Sequence, residues 1–248
     1  MYNIYPSILD TFQSYLYCEE TYQRYWGGSE NPSKTEDEFE KECFKGLIDK
    51  INRVPFESDA ADKGTAYNEL LDCIIDKRIS DKISIERVNL QEKTIGFNVT
   101  YKEKTNLFQY NTLMFLKDYL KYAIPQELVE GIINTDRGDV RLYGYLDYRL
   151  PDKIVDLKTT STNYSAGKYI DNLQHLLYTY CVRQKGILLN DFTYLIVQFS
   201  KDRENIFIED YIYESDRDEN ILRDICSHFI DFIETNKHLI TDKKIFGL

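Results

Sequence analysis

The stretch GYLDYRLPDKIVDLK, residues 144–158, contains two largely apolar segments with a few charged residues, separated by a proline and an aspartate. Pro151 fits the second position of a type I turn, which makes Leu150–Lys153 the four-residue turn. The residues on both sides of this turn read as strands. The stretch therefore predicts an antiparallel β-hairpin.

In this register Asp147 lies directly opposite Asp156, and Tyr145 lies opposite Lys158. Residues two apart share one face of a strand, so these four side chains occupy the same face. The other face is predicted to be core and contains Leu146, Tyr148, Val155 and Leu157. Two facing carboxylates repel each other. Either Lys158 offsets one charge in a structural salt bridge, or a hard divalent cation such as Mg²⁺ or Mn²⁺ binds both carboxylates; the residues alone leave both readings open.

The periodicity of apolar residues around the hairpin predicts helices and further strands. The predicted helices cover residues 6–25, 36–51, 64–77, 111–123, 166–186 with Ser165 as cap, and a last segment from Ser215. The predicted strands are a pair within 93–110, then 127–135, 140–150, 153–160, 193–200 and 205–214. This order predicts one α/β domain over residues 1–248, with a central mixed β-sheet flanked by helices.

The composition limits the class of protein. The 248 residues carry a formal net charge of -11, which counts against a nonspecific nucleic-acid coat, and no apolar segment is long enough to span a membrane. Residues 137–185 nevertheless hold eight basic and five acidic residues, which suits phosphate binding at one local site. The N-terminus has neither a basic nor an apolar signal region, so we expect a cytoplasmic protein.

Several short motifs follow one another in the chain. Gly144–Asp147 matches G-x-x-D, Asp156–Lys158 matches D-x-K, and Gln174–Tyr178 matches Q-x-x-x-Y. A predicted helix opens upstream with Gly64-Thr65, and the segment PSILDTFQSYL, residues 6–16, is similar to an S-x-L-x-x-F pattern. In this order the motifs resemble the PD-(D/E)XK nuclease superfamily, specifically its RecB-like exonuclease branch. The resemblance implies a restriction-endonuclease-like core over about residues 64–200.

The resemblance also implies a metal site. Asp147 and Asp156 would bind one or two Mg²⁺ or Mn²⁺ ions, together with the backbone carbonyl of Leu157. The RecB-like branch usually has a histidine four residues after the helix glycine, where this chain has Asn68 followed by Glu69. Adjacent helical residues point about 100° apart, so only one of the two reaches the metal; we expect Glu69, with Asn68 as the alternative.

Some relatives in this branch also carry an iron–sulfur cluster held by four cysteines. The five cysteines here are scattered and include no C-x-x-C pair, so we expect neither that cluster nor a disulfide framework.

The implied activity is metal-dependent hydrolysis of DNA, as an exonuclease in recombination, repair or phage-type DNA processing. Lys158 would orient the attacking water or stabilise the transition state, and Gln174 and Tyr178 would contact the substrate backbone or brace the site. A protein partner or a homo-oligomer is compatible with the sequence, and no membrane partner is expected. Two alternatives stay open: a catalytically silent module that binds DNA or protein, and a nuclease for RNA or branched DNA.

Overall fold

The computed structural model describes residues 1–201 and 203–247. The helices are α1 (Pro6–Leu16), α2 (Cys18–Trp26), α3 (Glu36–Ile51), α4 (Asp59–Asp76), α5 (Tyr110–Tyr119), α6 (Gln174–Gln184) and α7 (Ser215–Thr235). The strands are β1 (Tyr2–Ile4), β2 (Ser84–Leu90), β3 (Lys93–Tyr101), β4 (Lys104–Gln109), β5 (Ile124–Thr135), β6 (Gly138–Arg149), β7 (Lys153–Thr160), β8 (Asp191–Phe199) and β9 (Glu204–Ile212). Within these two described ranges, no helix combines the length and the apolar character that crossing a membrane requires.

The central sheet is mixed and has six strands, in the order β1-β6-β7-β8-β9 with β5 also paired to β6. Strand β6 pairs with β5 along nearly its whole length. Its other edge pairs with β1 at Val140–Leu142 and with β7 at Tyr148 and Arg149. Between these two contacts, at residues 143–147, the described strands provide no partner for this edge. The sheet therefore opens into a gap between β1 and β7.

Helices cover both sides of this sheet. On one side α1, α6 and α7 enclose a core that includes Phe12, Leu177 and Phe229. On the other side α4 and α5, together with the small antiparallel sheet β2-β3-β4, enclose a core that includes Tyr67 and Phe108. Each side thus buries one face of the sheet, as a layered domain requires. The predicted α/β class, with a central mixed sheet flanked by helices, is confirmed.

The predicted hairpin is present. The Leu150 N–H donates a hydrogen bond to the Lys153 carbonyl over 2.9 Å, which closes the expected four-residue turn. Tyr148 pairs with Val155, as the predicted register requires. The turn chemistry of the proline therefore fixes the start of the hairpin from local sequence alone.

The hairpin is shorter than predicted. Its ladder ends at the Tyr148–Val155 pair, so Asp147 is not a ladder partner of Asp156, and Tyr145 is not a partner of Lys158. The physical reason lies beyond Tyr148, where β6 turns away from β7 to pair with β1. The predicted core face also divides, because Leu146 packs in the cluster with α6, whereas Tyr148, Val155 and Leu157 pack in the cluster with α4.

Two predicted helices have different starts. The prediction of a helix over 166–186 is wrong for its first part, because α6 begins only at Gln174 and Ser165 does not cap it. The backbone N–H groups of Gly167 and Lys168 instead donate to the Glu209 carboxylate of β9, over 2.8 and 3.2 Å. Helix α4 begins five residues before Gly64, where the Ser58 side chain accepts from the Ala61 N–H.

Further differences arise where pairing is long-range or burial is weak. The predicted helix over 6–25 divides at Tyr17 into α1 and α2. Strand β1 was not predicted because it has three residues and is held by parallel pairing to β6, far along the chain. Strand β2 was not predicted because its side chains are exposed on both faces, which removes the alternation that marks a strand.

Candidate active site

The gap between β1 and β7 holds the first predicted site residue. Asp147 lies at the end of the gap next to Tyr148. Its Oδ2 accepts a hydrogen bond from the Leu157 backbone N–H over 2.9 Å. The carboxylate thus takes the place that a β6 carbonyl would occupy in a continuous ladder. In a strand the N–H and C=O of one residue point to the same side. The Leu157 carbonyl therefore also points towards the gap, in the direction predicted for a metal ligand.

The opposite edge of β6 is also irregular at Asp147. The β5–β6 register runs from the Pro125–Tyr148 pair to the Glu127–Leu146 pair and skips Gln126 and Asp147. Gln126 has φ of 50°, a left-handed backbone conformation that costs a non-glycine residue about 1–2 kcal/mol. Strain of this kind persists where the surrounding structure imposes it, and such positions cluster at functional sites.

Three further side chains form a group beside Asp147 that is joined by two hydrogen bonds and one ion pair. Asp156 is 3% exposed, and its Oδ2 lies 2.8 Å from the Lys158 ammonium. The Gln174 side-chain amide donates to Asp156 Oδ1 over 2.5 Å, and its Oε1 accepts from Lys158 over 2.6 Å. Asp156 and Lys158 share a face of β7, and Gln174 is the first residue of α6. The D-x-K and Q-x-x-x-Y motifs thus meet in one place.

The glycine of G-x-x-D contacts the tyrosine of Q-x-x-x-Y. A Cβ at Gly144 would lie 2.7 Å from Cε1 of Tyr178, a distance that real side chains do not allow. The Tyr178 hydroxyl donates to the Tyr145 carbonyl over 2.8 Å, in the unpaired stretch of β6. Tyr178 is buried. The structure therefore gives Tyr178 a bracing position across β6, which is one of the two predicted roles.

The charges of this group are close enough to perturb one another. The pKa of Asp147 is raised to about 7, first because the carboxyl is removed from water and then because of the negative charge of Asp156. Burial alone would lower the pKa of Lys158, but the carboxylates of Asp156 and Asp147 outweigh it and the net shift is upward. Lys158 is therefore an ammonium at neutral pH.

One residue of the group was missed by sequence reasoning. Asp10 of α1 accepts a hydrogen bond from the Leu173 backbone N–H over 2.7 Å. Burial raises the pKa of Asp10 to about 6, and the charges of Lys158 and Asp156 both act on it. Asp10 lies within the similar N-terminal segment, but its partner is 163 residues away, so no local pattern could indicate the contact.

The two α4 residues predicted as alternative metal ligands, Glu69 and Asn68, lie in different surroundings. Glu69 forms ion pairs with Arg78 at 2.7 Å and Lys82 at 3.8 Å. The hydrogen bond from Arg78 lowers the pKa of Glu69 to about 2. Its charge is therefore already matched by cations that belong to no part of the site. The structure does not bring the expected Glu69 to the two aspartates.

Asn68 lies on the side of α4 that faces the hairpin. One turn earlier, a Cβ at Gly64 would lie 2.5 Å from Thr159 of β7; one turn later, Asp72 accepts from the Tyr148 hydroxyl over 2.6 Å. Residues four apart share a helix face, so Asn68 is directed at the strands between these contacts. Its Oδ1 is buried and accepts no hydrogen bond. Among the described residues, Asn68 thus keeps a buried oxygen without a partner, whereas the carboxylate of Glu69 is ion-paired.

The available donors suit a hard cation. Asp156 Oδ2 is also buried, and it forms an ion pair with the Lys158 ammonium at 2.8 Å. The proposed ligands are the carboxylates of Asp147 and Asp156, the Leu157 carbonyl and the Asn68 amide. All of them bind through oxygen, the ligand atom that Mg²⁺ and Mn²⁺ prefer. In residues 1–201 and 203–247, no cluster of three or more histidine, cysteine or acidic side chains forms a metal site. Mg²⁺ is often held by only one or two carboxylates, with water and phosphate completing its shell.

Comparison with known proteins does not assign this chain to a family. No protein-family model matches the chain, and no curated protein matches it. Among solved structures, the chain resembles one titled "Crystal structure of SSO0001", with a TM-score of 0.43 and 10% sequence identity. That match covers 92% of this chain and 76% of the other. A TM-score this low does not establish a shared fold.

Proposed function

We propose that this chain is a metal-dependent nuclease of the PD-(D/E)XK superfamily, RecB-like branch, which hydrolyses phosphodiester bonds in DNA. The observation that carries the proposal is the group of Asp147, Asp156 and Lys158 beside the gap in the sheet. Together with Asp10, the group contains three carboxylates and one ammonium, so its fully ionised form has excess negative charge. A divalent cation would neutralise that charge, whereas a structural salt bridge would not.

The cation would be Mg²⁺ or Mn²⁺, held by Asp147 and Asp156 with the Leu157 carbonyl and the Asn68 amide oxygen. When bound, such an ion acts as a Lewis acid towards the phosphate and lowers the pKa of water. The Asp147 carboxylate is kept in place by the Leu157 N–H, and Asp156 by the Gln174 amide. These hydrogen bonds fix the carboxylates before any ligand arrives, which favours tight and specific binding.

Lys158 would stabilise the negative charge that develops on the phosphate. Its raised pKa makes it an ammonium and not a base, so it supplies positive charge and hydrogen-bond donors. The Gln174 side chain accepts one of these donors and thereby restricts the direction of the others. Gln174 and Tyr178 then act mainly by positioning: Gln174 holds two charged residues, and Tyr178 holds the β6 backbone next to Asp147.

The substrate is proposed to be DNA, with the chain acting as an exonuclease in recombination, repair or phage-type processing. The basic window of residues 137–185 surrounds the site in sequence. Its Arg137, Arg141, Arg149 and Lys185 pair with carboxylates of the fold, so the support for a phosphate ligand comes from its other cations. A silent binding module is the second candidate. The observation that favours it is the amide of Asn68 where relatives of this branch have a stronger ligand.

The deciding experiment measures cleavage of end-labelled linear and circular DNA, single- and double-stranded, and of RNA. Wild type is compared with Asp156→Asn and Lys158→Ala in Mg²⁺, Mn²⁺ or EDTA. Asp152→Asn, an exposed turn residue of the same hairpin, is the matched control. We expect metal-dependent cleavage that both site variants reduce about 100-fold or more and the control does not.

Circular DNA distinguishes the two modes of attack, because an exonuclease leaves it intact. A folded wild type that cleaves none of these substrates in either metal would contradict the nuclease proposal and favour the binding module. Cleavage that survives in Asp156→Asn would assign the activity to another site or to a contaminant.

A further inference from the structure

The N-terminal helix reaches the start of α6. The Leu173 N–H immediately precedes the first helical residue, and N–H groups at a helix start have no partner within the helix. The N–H of the residue just before a helix can be satisfied by a polar side chain three residues later, as in a capping box. Here that later residue is the apolar Leu176, and the acceptor is Asp10 Oδ1 of α1 at 2.7 Å. The start of α6 is therefore held from a distant part of the chain.

The position of Gln174 depends on that contact. Gln174 follows Leu173 directly, and its amide bridges Asp156 at 2.5 Å and Lys158 at 2.6 Å. Residues 161–173 before it form no regular element, so the preceding backbone does not fix the start of α6 by itself. A shift of the first helical turn would move the amide away from both partners at once.

Asp10 is close to the same charges. It is largely removed from water, and both Lys158 and Asp156 act on its carboxyl electrostatically. Helix α1 also packs directly on α6, so the contact is part of a packed helix pair. The carboxylate of Asp10 thus connects the packing of the N-terminal helix to the hydrogen bonds of the site.

We propose that Asp10 is a positioning residue of the active site, which holds the first turn of α6 so that Gln174 bridges Asp156 and Lys158. The proposal rests on the proposed nuclease function for its kinetic consequences. Asp10 itself need not touch the substrate, since its effect passes through Leu173 and Gln174.

The kinetic test is a double-mutant cycle. We expect Asp10→Ala to lower kcat about tenfold with KM for an oligonucleotide nearly unchanged, because small displacements of catalytic groups are costly. Asp10→Asn keeps an oxygen acceptor and should stay within about threefold of wild type. In a Gln174→Ala background, Asp10→Ala should cause no further loss. Ser14→Ala, one turn along α1, is the control, since its hydroxyl donates to the backbone carbonyl of Asp10 and leaves the carboxylate untouched.

A purely structural role would give a different result. The losses from Asp10→Ala and Gln174→Ala would then multiply, as they do for independent residues. A loss greater than tenfold in Asp10→Asn would also overturn the proposal, because the hydrogen-bond acceptor is still present. That second criterion applies even if Asp10→Ala does not fold.

A readout without substrate separates this proposal from the nuclease proposal. Hydrogen exchange at the Leu173 amide should accelerate about tenfold or more in Asp10→Ala and not in Asp10→Asn or Ser14→Ala. Acetylation of Lys158, followed by mass spectrometry, should become faster in the same variant, because Gln174 no longer holds the ammonium. If wild type cleaves nothing, the nuclease proposal fails while these measurements still decide the role of Asp10. Unchanged exchange and acetylation in Asp10→Ala would overturn it.

Discussion

At the scale of single residues, the ionised carboxylate of Asp147 lowers the free energy of unfolding. Its pKa is raised from 3.8 to about 7, because it is removed from water beside Asp156. The folded form therefore keeps a proton that the unfolded chain releases at lower pH. Between about pH 4 and pH 7 the folded state binds more protons, so stability falls as the pH rises through this window.

Asp147→Asn should remove that penalty while keeping an oxygen for the Leu157 N–H. In EDTA at pH 8, we expect the free energy of unfolding to rise by about 1–3 kcal/mol relative to wild type. Near pH 4 the gain should disappear, since wild-type Asp147 is then protonated in the folded state. Urea denaturation at both pH values checks this, with Asp152→Asn as control. A variant less stable than wild type at pH 8 would show that the carboxylate is not repelled by its surroundings.

Gly144 provides a second test at this scale. A methyl group there would collide with Tyr178, whose hydroxyl holds the Tyr145 carbonyl. We expect Gly144→Ala to lower the free energy of unfolding by about 1–3 kcal/mol through overpacking. Gly46→Ala in α3 is the matched control, because a Cβ at Gly46 has no atom within 4 Å. It should instead raise stability by about 0.5–1 kcal/mol, since alanine favours helix. Equal effects at both glycines would contradict the contact with Tyr178.

At the scale of secondary-structure elements, several hydrogen bonds of the segment between β7 and α6 converge on the carboxylate of Glu209. Glu209 accepts hydrogen bonds from Gly167, Lys168, Tyr164 and Tyr211. The sequence of this segment predicts a helix, but its N–H groups donate to a β9 side chain, and local propensity is overridden by that contact. The same reasoning explains why the helix start at Gln174 could not be predicted.

Glu209→Ala should loosen this segment without unfolding the protein. We expect faster hydrogen exchange in residues 161–172 and a small decrease in Tm, because these bonds are local and partly exposed. Glu92→Ala, an exposed residue of the β2–β3 turn, should leave exchange in the segment unchanged. Exchange at the wild-type rate in Glu209→Ala would mean that other contacts hold the segment.

At the scale of the whole molecule, the gap in the sheet gathers residues from four elements. Asp10 comes from α1, Asp147 from β6, Asp156 from β7 and Gln174 from α6. Each element is packed in place by the two cores, so the charges are brought together by the fold and cannot move apart to relieve repulsion. A cation that binds only the folded protein should then stabilise all of it.

We therefore expect Mg²⁺ or Mn²⁺ to raise Tm at pH 7.5. A ligand at 100 times its Kd adds about 2.7 kcal/mol to the free energy of unfolding. The shift should vanish in Asp156→Asn and persist in Asp152→Asn, as measured by calorimetry with metal and with EDTA. A metal-induced shift that is equal in both variants would place cation binding elsewhere on this acidic protein.

The sequence by itself determined the features that depend on neighbouring residues. The proline turn and the first pair of the hairpin follow from local chemistry, and the order of polar residues on β7 follows from strand alternation. The α/β class likewise follows from the periodicity of successive segments. These features could be predicted because each is encoded within a few residues of chain.

Only the tertiary structure decided which of these residues meet. It ended the hairpin at Tyr148, paired Glu69 with Arg78 and brought Asp10 to Leu173. Each outcome depends on partners far apart in sequence, whose contact is set by the packing of whole helices and strands. A periodic pattern records which face of an element is buried, but not which distant side chain will lie against it.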